Sequence, residues 1–439
     1  MQTDATQFVQ WFRESSPYIH AFRGRMFVVY VSGEAVQDDS FAGFIHDIAL
    51  LNNLGVRVVL IHGARPQIDR RCRQSGIKRQ LVKGLRITDA RSLSCFKEAI
   101  GAIKLDIEAL LSTGLPSSPM SGAKIRVVTG NFVVGKPVGV KNGIDYQHTG
   151  SVRRIDVQAI EEALHDRAIV LLSPVGFSAS GEIFNLCAEE LAANVAVQMQ
   201  ADKLVLLTEE TGPCDAAGKL IRQMTVHQAS DFLEAKNKLP KRLRETLQKA
   251  LQACQHGVRR AHLIDRHIDG GMLLELFSRD GIGSLVTDDI YEGLRQATID
   301  DVAGIIELIS PLEKSGTLVK RSREYLEADI DHFIVIERDG MVIGCAAFYT
   351  HSDCGIAELA CLAVHPDYQN QGRGDTLLAY IDDIARQQQL QKLVVLTTEA
   401  THWFREHNFK LGKIADLPVK KQALYNYQRN SKIYLKKLN

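Results

Sequence analysis

Residues 361–387 read CLAVHPDYQNQGRGDTLLAYIDDIARQ, and this stretch decides how the second half of the chain folds. It contains an apolar strand, a polar loop with two glycines and an amphipathic helix, in that order. Glycines let backbone amides crowd together, and the start of a helix carries a partial positive charge, so the loop can hold a pyrophosphate. Ordinary strand-to-helix turns also use glycines, so the loop alone leaves both interpretations open.

The segments around the loop predict a C-terminal α+β domain. HFIVIERDGMVIGCAAFYT (332–350) is typical of a hairpin, because Asp339-Gly340 can supply the positive φ angles of a tight turn. A strand KLVVLTT (392–398) and a helix THWFREHN (401–408) follow the loop. Antiparallel pairing is therefore expected to open this domain.

The first half of the chain predicts an α/β domain with a mostly parallel sheet. From residue 26 to about 286, short β-branched runs such as MFVVYV and DKLVLLTEE alternate with helical patterns. One helix has apolar residues every three or four positions between Leu93 and Leu110, and Gly114 and Pro116 end it. Because the periodicity lapses near residue 288, we expect a first domain at 1–288, a linker at 289–295 and a second domain at 296–439.

Composition favours a small-molecule partner. Lys and Arg number 53 against 52 Asp and Glu, and the net charge of +1 favours neither nucleic acid nor a membrane surface. The eight cysteines show no metal-ligand or redox spacing, so we expect no metal. The chain shows no signal-peptide pattern and no apolar run of membrane-spanning length, which predicts a cytoplasmic location.

The loop resembles the coenzyme-A loop of the GCN5-related N-acetyltransferases (GNAT). The resemblance rests on the spacing of Gln369, Gly372 and Gly374 after a V-x-P strand end, and on WFREHNF (403–409) as an aromatic helix before a return strand. It implies acetyl-CoA as co-substrate, with the pantetheine paired to Leu362 and Val364. It places the pyrophosphate on the amides of Gln371, Gly372, Arg373, Gly374 and Asp375.

Glu358 is the candidate catalytic base. Only a free amine attacks a thioester, so the enzyme must take a proton from the incoming ammonium. Glu358 lies in an otherwise apolar strand before the loop, where burial could tune its acidity, although a solvent-facing carboxylate fits the pattern too. The departing thiolate must also receive a proton. Many relatives use a tyrosine for this step, but Phe404 occupies that position here. Thr397 or Thr398 is the substitute donor, and solvent is the alternative source of the proton.

The C-terminal segment suggests which acceptor is used. Lys420, Arg429 and Ser431 could grip carboxylates, although basic residues near a C-terminus are often simply solvated. GIAELACLAVHPDYQ, PLEKSGTLVKRSRE and LYNYQRNSK resemble the bacterial N-acetylglutamate synthases, and this resemblance spans the whole chain. It implies acetyl transfer from acetyl-CoA to L-glutamate as the first step of arginine biosynthesis. It also implies that Arg429 and Ser431 hold the substrate, that Lys420 assists, and that Leu318 and Cys361 line the site through their backbone.

The first domain resembles the amino-acid kinases, whose fold is an αβα sandwich. The resemblance rests on VRVVLIHGARPQID (56–69) and on RRAHLIDRHIDGGMLLELFSRDGIGSLV (259–286). Those enzymes hold ATP phosphates with a lysine on the first strand, and here that position is Tyr30. The expected aspartate after Asn185 is also missing, since Leu186-Cys187-Ala188 follows, so we expect no phosphoryl transfer and a role in regulation or assembly.

Arginine-sensitive relatives carry a signature that this domain matches at Tyr18, His262, Glu275 and Gly281. The resemblance implies that L-arginine binds there and inhibits the enzyme. A packed strand histidine and an exposed helical glutamate remain the alternative interpretation.

The N-terminal stretch FVQWFRESSPYIHAF (8–22) is rich in aromatic residues. Such residues could pack against another subunit, and relatives form rings through their N-terminal helices, so the resemblance implies a homohexamer. Packing against the chain's own core is the alternative.

Three other functions stay open at this stage. One is an acylamino-acid kinase with an accessory acetyltransferase, which ATP turnover would reveal. The second is an arginine sensor that only holds CoA, and the third is an acetyltransferase that acts on another amine.

Overall fold

The computed structural model describes residues 5–82, 84–113, 125–235, 239–288, 292–338, 340–351, 354–369, 372–423 and 431–438. The chain divides into two compact units, Met1–Asp289 and Ile290–Asn439. Among the described residues, no helix has both the length and the apolar character needed to cross a bilayer.

The first unit alternates strands and helices as the sequence predicts. Its helices are α1 (Ala5–Phe22), α2 (Phe41–Asn53), α3 (Arg65–Gln74), α4 (Ala90–Ser112), α5 (Val157–His165), α6 (Ala188–Gln198), α7 (Val226–Glu234), α8 (Lys241–Gln255) and α9 (Gly271–Phe277). Its strands are β1 (Met26–Val31), β2 (Arg57–His62), β3 (Leu81–Val82), β4 (Leu85–Arg86), β5 (Val127–Val128), β6 (Val133–Pro137), β7 (Val140–Lys141), β8 (Ile144–Asp145), β9 (Gly150–Ile155), β10 (Ile169–Leu172), β11 (Val175–Phe177), β12 (Ile183–Asn185), β13 (Lys203–Thr208), β14 (Gln223–Thr225), β15 (Arg260–Asp265) and β16 (Ser284–Thr287).

The main sheet of the first unit has the order β14-β16-β15-β13-β1-β2-β10-β5, and its pairs are parallel except for β15 with β16. Apolar clusters cover both faces, one involving α6 and α8 and the other α2 and α4. β1 is buried along its whole length, which is the pattern of a parallel strand covered on two sides. The predicted α/β sandwich is thus confirmed.

Helix α4 carries the apolar face that the sequence predicts. Phe96, Ile103 and Ile107 are buried in the core, and the side chain of Asp89 caps the helix by accepting a hydrogen bond from Ser92 N. The predicted stop signals, Gly114 and Pro116, lie outside the described residues.

The second unit is an α+β fold. Its helices are α10 (Val302–Lys314), α11 (Arg323–Ala328), α12 (Arg373–Gln387), α13 (Thr401–Glu406) and α14 (Val419–Ala423). Its strands are β17 (Glu292–Gln296), β18 (Phe333–Arg338), β19 (Met341–His351), β20 (Ile356–Val364), β21 (Lys392–Thr397), β22 (Lys410–Leu411) and β23 (Lys432–Lys437), with the sheet order β17-β18-β19-β20-β21-β23-β22.

Residues 292–295 differ from the prediction. The sequence suggests a linker there, but Glu292–Gln296 forms β17, which pairs antiparallel with β18 at the edge of the second sheet. Arg295 holds this edge strand in place through ion pairs with Asp301 and Glu337, both at 2.7 Å. The short strand was missed because its period-two pattern is weak.

Candidate active site

Strands β20 and β21 separate in the middle of the second sheet. Their parallel pairing runs from Ile356 opposite Lys392 to Leu359 opposite Val395, whereas β20 continues to Val364. Cys361 has a φ of +51°, and the β19–β20 register shifts between Cys345 and Ala347. Backbone groups beyond Leu359 are thereby turned out of the regular ladder, where an amide-bearing ligand could pair with them. Leu362 and Val364, the predicted pantetheine partners, lie in this part of β20.

The predicted pyrophosphate loop ends at the start of α12. Gly372 is the N-cap with a φ of +80°, so a residue with a side chain would be strained there. Gln369 donates from Nε2 to Val364 O at 3.0 Å, and Arg373 stacks over the Tyr368 ring at 5.0 Å. Gln371 lies outside the described residues.

Gly374 and Asp375 have packing roles at this helix start. A Cβ on Gly374 would lie 3.3 Å from Cζ2 of Trp403, so the glycine lets α12 approach the aromatic helix α13. Asp375 pairs with His407 at 2.9 Å. The sequence left open whether these glycines serve a ligand or an ordinary turn, and it did not predict the contact of Gly374 with Trp403.

Glu358 is buried in the middle of β20. It is 6% exposed and sits directly opposite Tyr349 of β19. Lys421 of α14 donates a hydrogen bond from Nζ to Oε1 at 3.2 Å and lies 2.9 Å from Oε2. Nε2 of His351 lies 3.8 Å from Oε2. The carboxylate therefore has a cation on one side and an imidazole on the other.

Tyr349 supports this cluster without sharing its proton. Its hydroxyl donates to Asp329 Oδ2 at 2.5 Å, and burial together with that hydrogen bond raises the pKa of Tyr349. Lys421 Nζ lies 5.7 Å from the centre of the Tyr349 ring. The ring thus forms one wall of the Glu358 site and stays neutral.

The two candidate threonines have different surroundings. Thr397 Oγ1 accepts a hydrogen bond from Ala400 N at 3.1 Å, so its hydroxyl already caps the turn after β21. Thr398 Oγ1 is buried and has no hydrogen-bond partner among the described residues. Thr398 is thus the one of the two whose hydroxyl has no described partner, while Thr397 accepts one hydrogen bond and can still donate.

The predicted acceptor residues are only partly described. Ser431 directly precedes Lys432, which pairs with Thr397, so Ser431 lies at the same end of the sheet as the threonines. Leu318 and Cys361 belong to one apolar cluster with Tyr349. Arg429 and the side chain of Lys420 lie outside the described residues.

In the first unit, side chains of the protein itself contact Tyr30, which stands at the position of the phosphate-binding lysine of the kinases. Arg65 pairs with Glu189 at 3.2 Å, and Glu189 shares a hydrogen bond with the Tyr30 hydroxyl. Burial raises the pKa of Cys187 to about 12, so its thiol stays protonated beside Glu189. Burial, and next the Glu189 charge, raises the pKa of Tyr30 as well. A neutral phenol thus occupies the position where a kinase needs a cation.

The predicted arginine-site residues His262, Glu275 and Gly281 lie together. His262 Nδ1 is 2.7 Å from Glu275 Oε1, and the backbone amides of Ile282 and Gly283 donate to Glu275 Oε2, both at 2.7 Å. These contacts hold the pKa of Glu275 at about 2 against the cost of burial. Burial lowers the pKa of His262 to about 4.

Tyr18 and a buried lysine extend this cluster. Lys203 Nζ lies 3.2 Å from His262 Nε2 and 5.0 Å from the centre of the Phe22 ring, which in turn lies 6.0 Å from that of Tyr18. Sequence reasoning missed Lys203, although a lysine beginning an otherwise apolar strand is an unusual feature. It also missed Lys421, which is 63 residues from Glu358 in sequence, and His351, which meets Glu358 only through the pairing of β19 with β20.

Comparisons with known proteins assign a class to each unit. Residues 25–265 match the amino acid kinase family, and residues 329–411 match the acetyltransferase (GNAT) domain. Together with the split between β20 and β21, this defines an acetyltransferase unit joined to a kinase-like unit.

Relatives of the whole chain define the family more closely. Amino-acid acetyltransferases of Ectopseudomonas mendocina and Azotobacter vinelandii are each 49% identical, over 98% of this chain and 99% of theirs. A crystal structure of the Neisseria gonorrhoeae N-acetylglutamate synthase with coenzyme A and L-arginine is 36% identical, covers 98% of this chain and 99% of that one, and has a TM-score of 0.89. The same synthase with coenzyme A and N-acetyl-glutamate matches with a TM-score of 0.62. The chain belongs to the amino-acid acetyltransferases, the family of the N-acetylglutamate synthases, and it is an amino-acid N-acetyltransferase.

Proposed function

We propose that this enzyme transfers the acetyl group of acetyl-CoA to the amine of L-glutamate, which yields N-acetyl-L-glutamate and CoA. The observation that carries the proposal is the buried, lysine-paired Glu358 beside the opening between β20 and β21. The ligands of the gonococcal synthase, coenzyme A and N-acetyl-glutamate, are the two products of that reaction.

Acetyl-CoA would lie along the open part of β20. Leu362 and Val364 supply backbone groups to the pantetheine, because this stretch has left the ladder with β21. The start of α12 supplies the positive end of a helix dipole to the pyrophosphate. The proposed phosphate-binding residues are Gln369, Gln371, Gly372, Arg373, Gly374 and Asp375.

Glu358 acts as the base. It takes a proton from the ammonium of glutamate, either directly or through a water, and the free amine then attacks the thioester carbonyl. A bond forms between nitrogen and the acetyl carbon, the bond from that carbon to sulfur breaks, and the nitrogen gives up its second proton to solvent as the amide forms. Lys421 pairs with the Glu358 carboxylate and so holds it in position beside the opening in the sheet.

Thr398 is the better candidate for protonating the leaving thiolate. Its buried hydroxyl is unpaired within the described part of the chain, while the oxygen of Thr397 accepts a hydrogen bond from Ala400 N that fixes its orientation but leaves its O–H able to donate. A hydroxyl can donate to the thiolate and recover a proton from solvent.

The carboxylates of glutamate would be held at the end of the sheet that carries Ser431. Arg429 and Ser431 are the proposed ligands, Lys420 assists, and Leu318 and Cys361 contribute backbone groups. A bidentate guanidinium contact suits a carboxylate and would favour glutamate over amines that lack acidic groups.

L-arginine is the proposed inhibitor, bound in the first unit at Tyr18, His262, Glu275 and Gly281. Glu275 is buried and ionised, so it can receive a guanidinium in exchange for its present partners. The complex of the gonococcal synthase with L-arginine supports this assignment.

Self-association into a hexamer is a further part of the proposal. Phe8, Trp11 and Phe12 of α1 are 58%, 43% and 53% exposed, which is costly for an isolated chain. Mass photometry of the purified chain tests the assembly, because a monomer at working concentration would contradict it.

Release of CoA thiol from acetyl-CoA tests the activity. We expect release that depends on glutamate, falls when arginine is added, and falls by about 10²- to 10⁴-fold in kcat for Glu358→Gln. Glu307→Gln is the matched control, since Glu307 is an exposed glutamate of the same unit and its substitution leaves the rate unchanged. Release that ignores glutamate but responds to another amine would overturn the proposed acceptor.

A further inference from the structure

The side chains of His351 and Glu358 bring two buried polar atoms close together without forming a hydrogen bond between them. Nε2 of His351 and Oε2 of Glu358 are both inaccessible to solvent; Oε2 lies 2.9 Å from Lys421 Nζ, whereas Nε2 has no hydrogen-bond partner within the described ranges. Nε2 and Oε2 lie 3.8 Å apart. Buried polar atoms are nearly always paired in folded proteins, so Nε2 of His351 has unused hydrogen-bonding capacity directly beside the carboxylate.

The strand register places the two side chains on one face. Glu358 is opposite Tyr349 in the β19–β20 ladder, and His351 follows Tyr349 by two residues, so all three point the same way. His351 ends β19, and its side chain is 20% exposed. The ring therefore spans the distance from a buried carboxylate to the surface.

Lys421 and His351 both lie beside the Glu358 carboxylate, with Lys421 Nζ 2.9 Å and His351 Nε2 3.8 Å from Oε2. A base must hand on each proton before the next turnover. Lys421 is a donor and Tyr349 would have to become a strongly acidic oxonium ion to take a proton, so the imidazole is the acceptor among these neighbours.

We propose that His351 accepts the proton from Glu358 and releases it to solvent. This inference rests on the acetyl transfer proposed above. The ammonium of the acceptor gives a proton to the carboxylate, which becomes a carboxylic acid. Glu358 then protonates Nε2 of neutral His351, the carboxylate is restored, and the imidazolium loses a proton to water.

In this proposal His351 exchanges a proton with Glu358 and does not contact the substrate. Its role is therefore to support the catalytic base, and it is not itself a catalytic residue. Histidine suits this task because it exchanges protons near neutral pH. The described charged and titratable groups around it are Glu358 of β20, Lys421 of α14 and Tyr349 of its own strand.

The test uses His351→Ala and His351→Gln in the full chain, with His332→Ala as the control. His332 is an exposed histidine whose ring centre lies 4.9 Å from that of Tyr349, the neighbour that it shares with the Glu358 site. In both His351 variants we expect kcat to fall about tenfold, less than the effect of losing the base itself, with KM for glutamate nearly unchanged. Imidazole added to the buffer restores the rate of His351→Ala, because a free imidazole can fill the space and carry the proton.

Each outcome decides the proposal. Rescue by imidazole of His351→Ala, with none of Glu358→Gln, supports the relay. A kcat that is unchanged in both His351 variants overturns it, and so does a loss that imidazole does not restore and that leaves the pH profile as in the wild type. An inactive wild-type chain would overturn the acetyl transfer as well, whereas an active one with insensitive variants overturns the relay alone.

Discussion

Replacing Gly281 with alanine tests the proposed arginine site through a single added methyl group. Gly281 has a φ of +57°, and a Cβ there would overlap Oε2 of Glu275 and lie 2.8 Å from its Cδ. The left-handed backbone conformation costs about 1–2 kcal/mol for a residue with a side chain. The overlap also pushes the carboxylate away from the amides of Ile282 and Gly283, and each of these hydrogen bonds to a charged group contributes about 1.5–3 kcal/mol.

Two other glycines of the same unit separate these effects. Gly76 has a φ of +67° with open space around an added Cβ, so Gly76→Ala carries the backbone cost alone. Gly101 lies inside α4, also with open space, and Gly101→Ala should stabilise the helix by about 1 kcal/mol. If Gly281→Ala loses one of the two amide bonds, its cost is about 2.5–5 kcal/mol.

Hydrogen exchange of the peptides that contain β15 and α9 measures the local free energy of opening, which suits a chain of two units. The same proteins are then assayed for acetyl transfer with increasing arginine. For Gly281→Ala we expect at least a tenfold higher half-inhibitory concentration, since tenfold corresponds to about 1.4 kcal/mol. Equal exchange and equal arginine sensitivity in Gly281→Ala and Gly76→Ala would refute the reasoning.

Three further predictions concern other groups of the two units. The pKa of His262 is lowered to about 4 from an ordinary 6.5, so the folded protein resists protonation of this ring more than the unfolded chain does. The stability of the first unit should therefore be complete above pH 6.5 and should fall by up to about 3 kcal/mol as the pH drops towards 4. Hydrogen exchange of β15 measured against pH should show this loss, and His262→Gln should remove it. Thr398→Val should lower kcat by about tenfold, whereas Thr397→Val should cost about 1 kcal/mol of local stability and leave kcat nearly intact; the reverse pattern in the thiol-release assay would exchange their roles. Tyr30→Phe should cost about 1–2 kcal/mol in the first unit, because the buried Glu189 loses a donor, and an altered rate of acetyl transfer would contradict a purely structural role.

The sequence predicts much of the fold because its signals are local. The fully apolar run of β1 and the three-to-four spacing of α4 each follow from burial on one or two faces, and both elements form as expected. The edge strand β17 was missed because its place depends on pairing with β18, about forty residues away in the chain. Pairing partners of a short strand are a property of the whole sheet.

The candidate site shows the same limit. Glu358 stands out as a carboxylate in an apolar strand, but its neighbours do not. His351 reaches it through the register of β19 against β20, and Lys421 reaches it from α14, 63 residues further along the chain. A single sequence specifies neither the register nor the position of a helix over a sheet face.

The two polar clusters of the first unit differ in the charge of the ligand that each can accept. At the end of β1, where a kinase would bind phosphate, Tyr30 has no charge and Arg65 is already neutralised by Glu189, so an anion finds no free cation in that pair. At the proposed arginine site, the buried Glu275 is held by His262 and by two backbone amides, and Lys203 lies beside His262. A ligand that brings its own cation can replace those partners at little electrostatic cost, whereas a phosphate would place a second anion beside Glu275. The proposed site thus keeps the parallel sheet of a kinase-like fold but takes a ligand of the opposite charge.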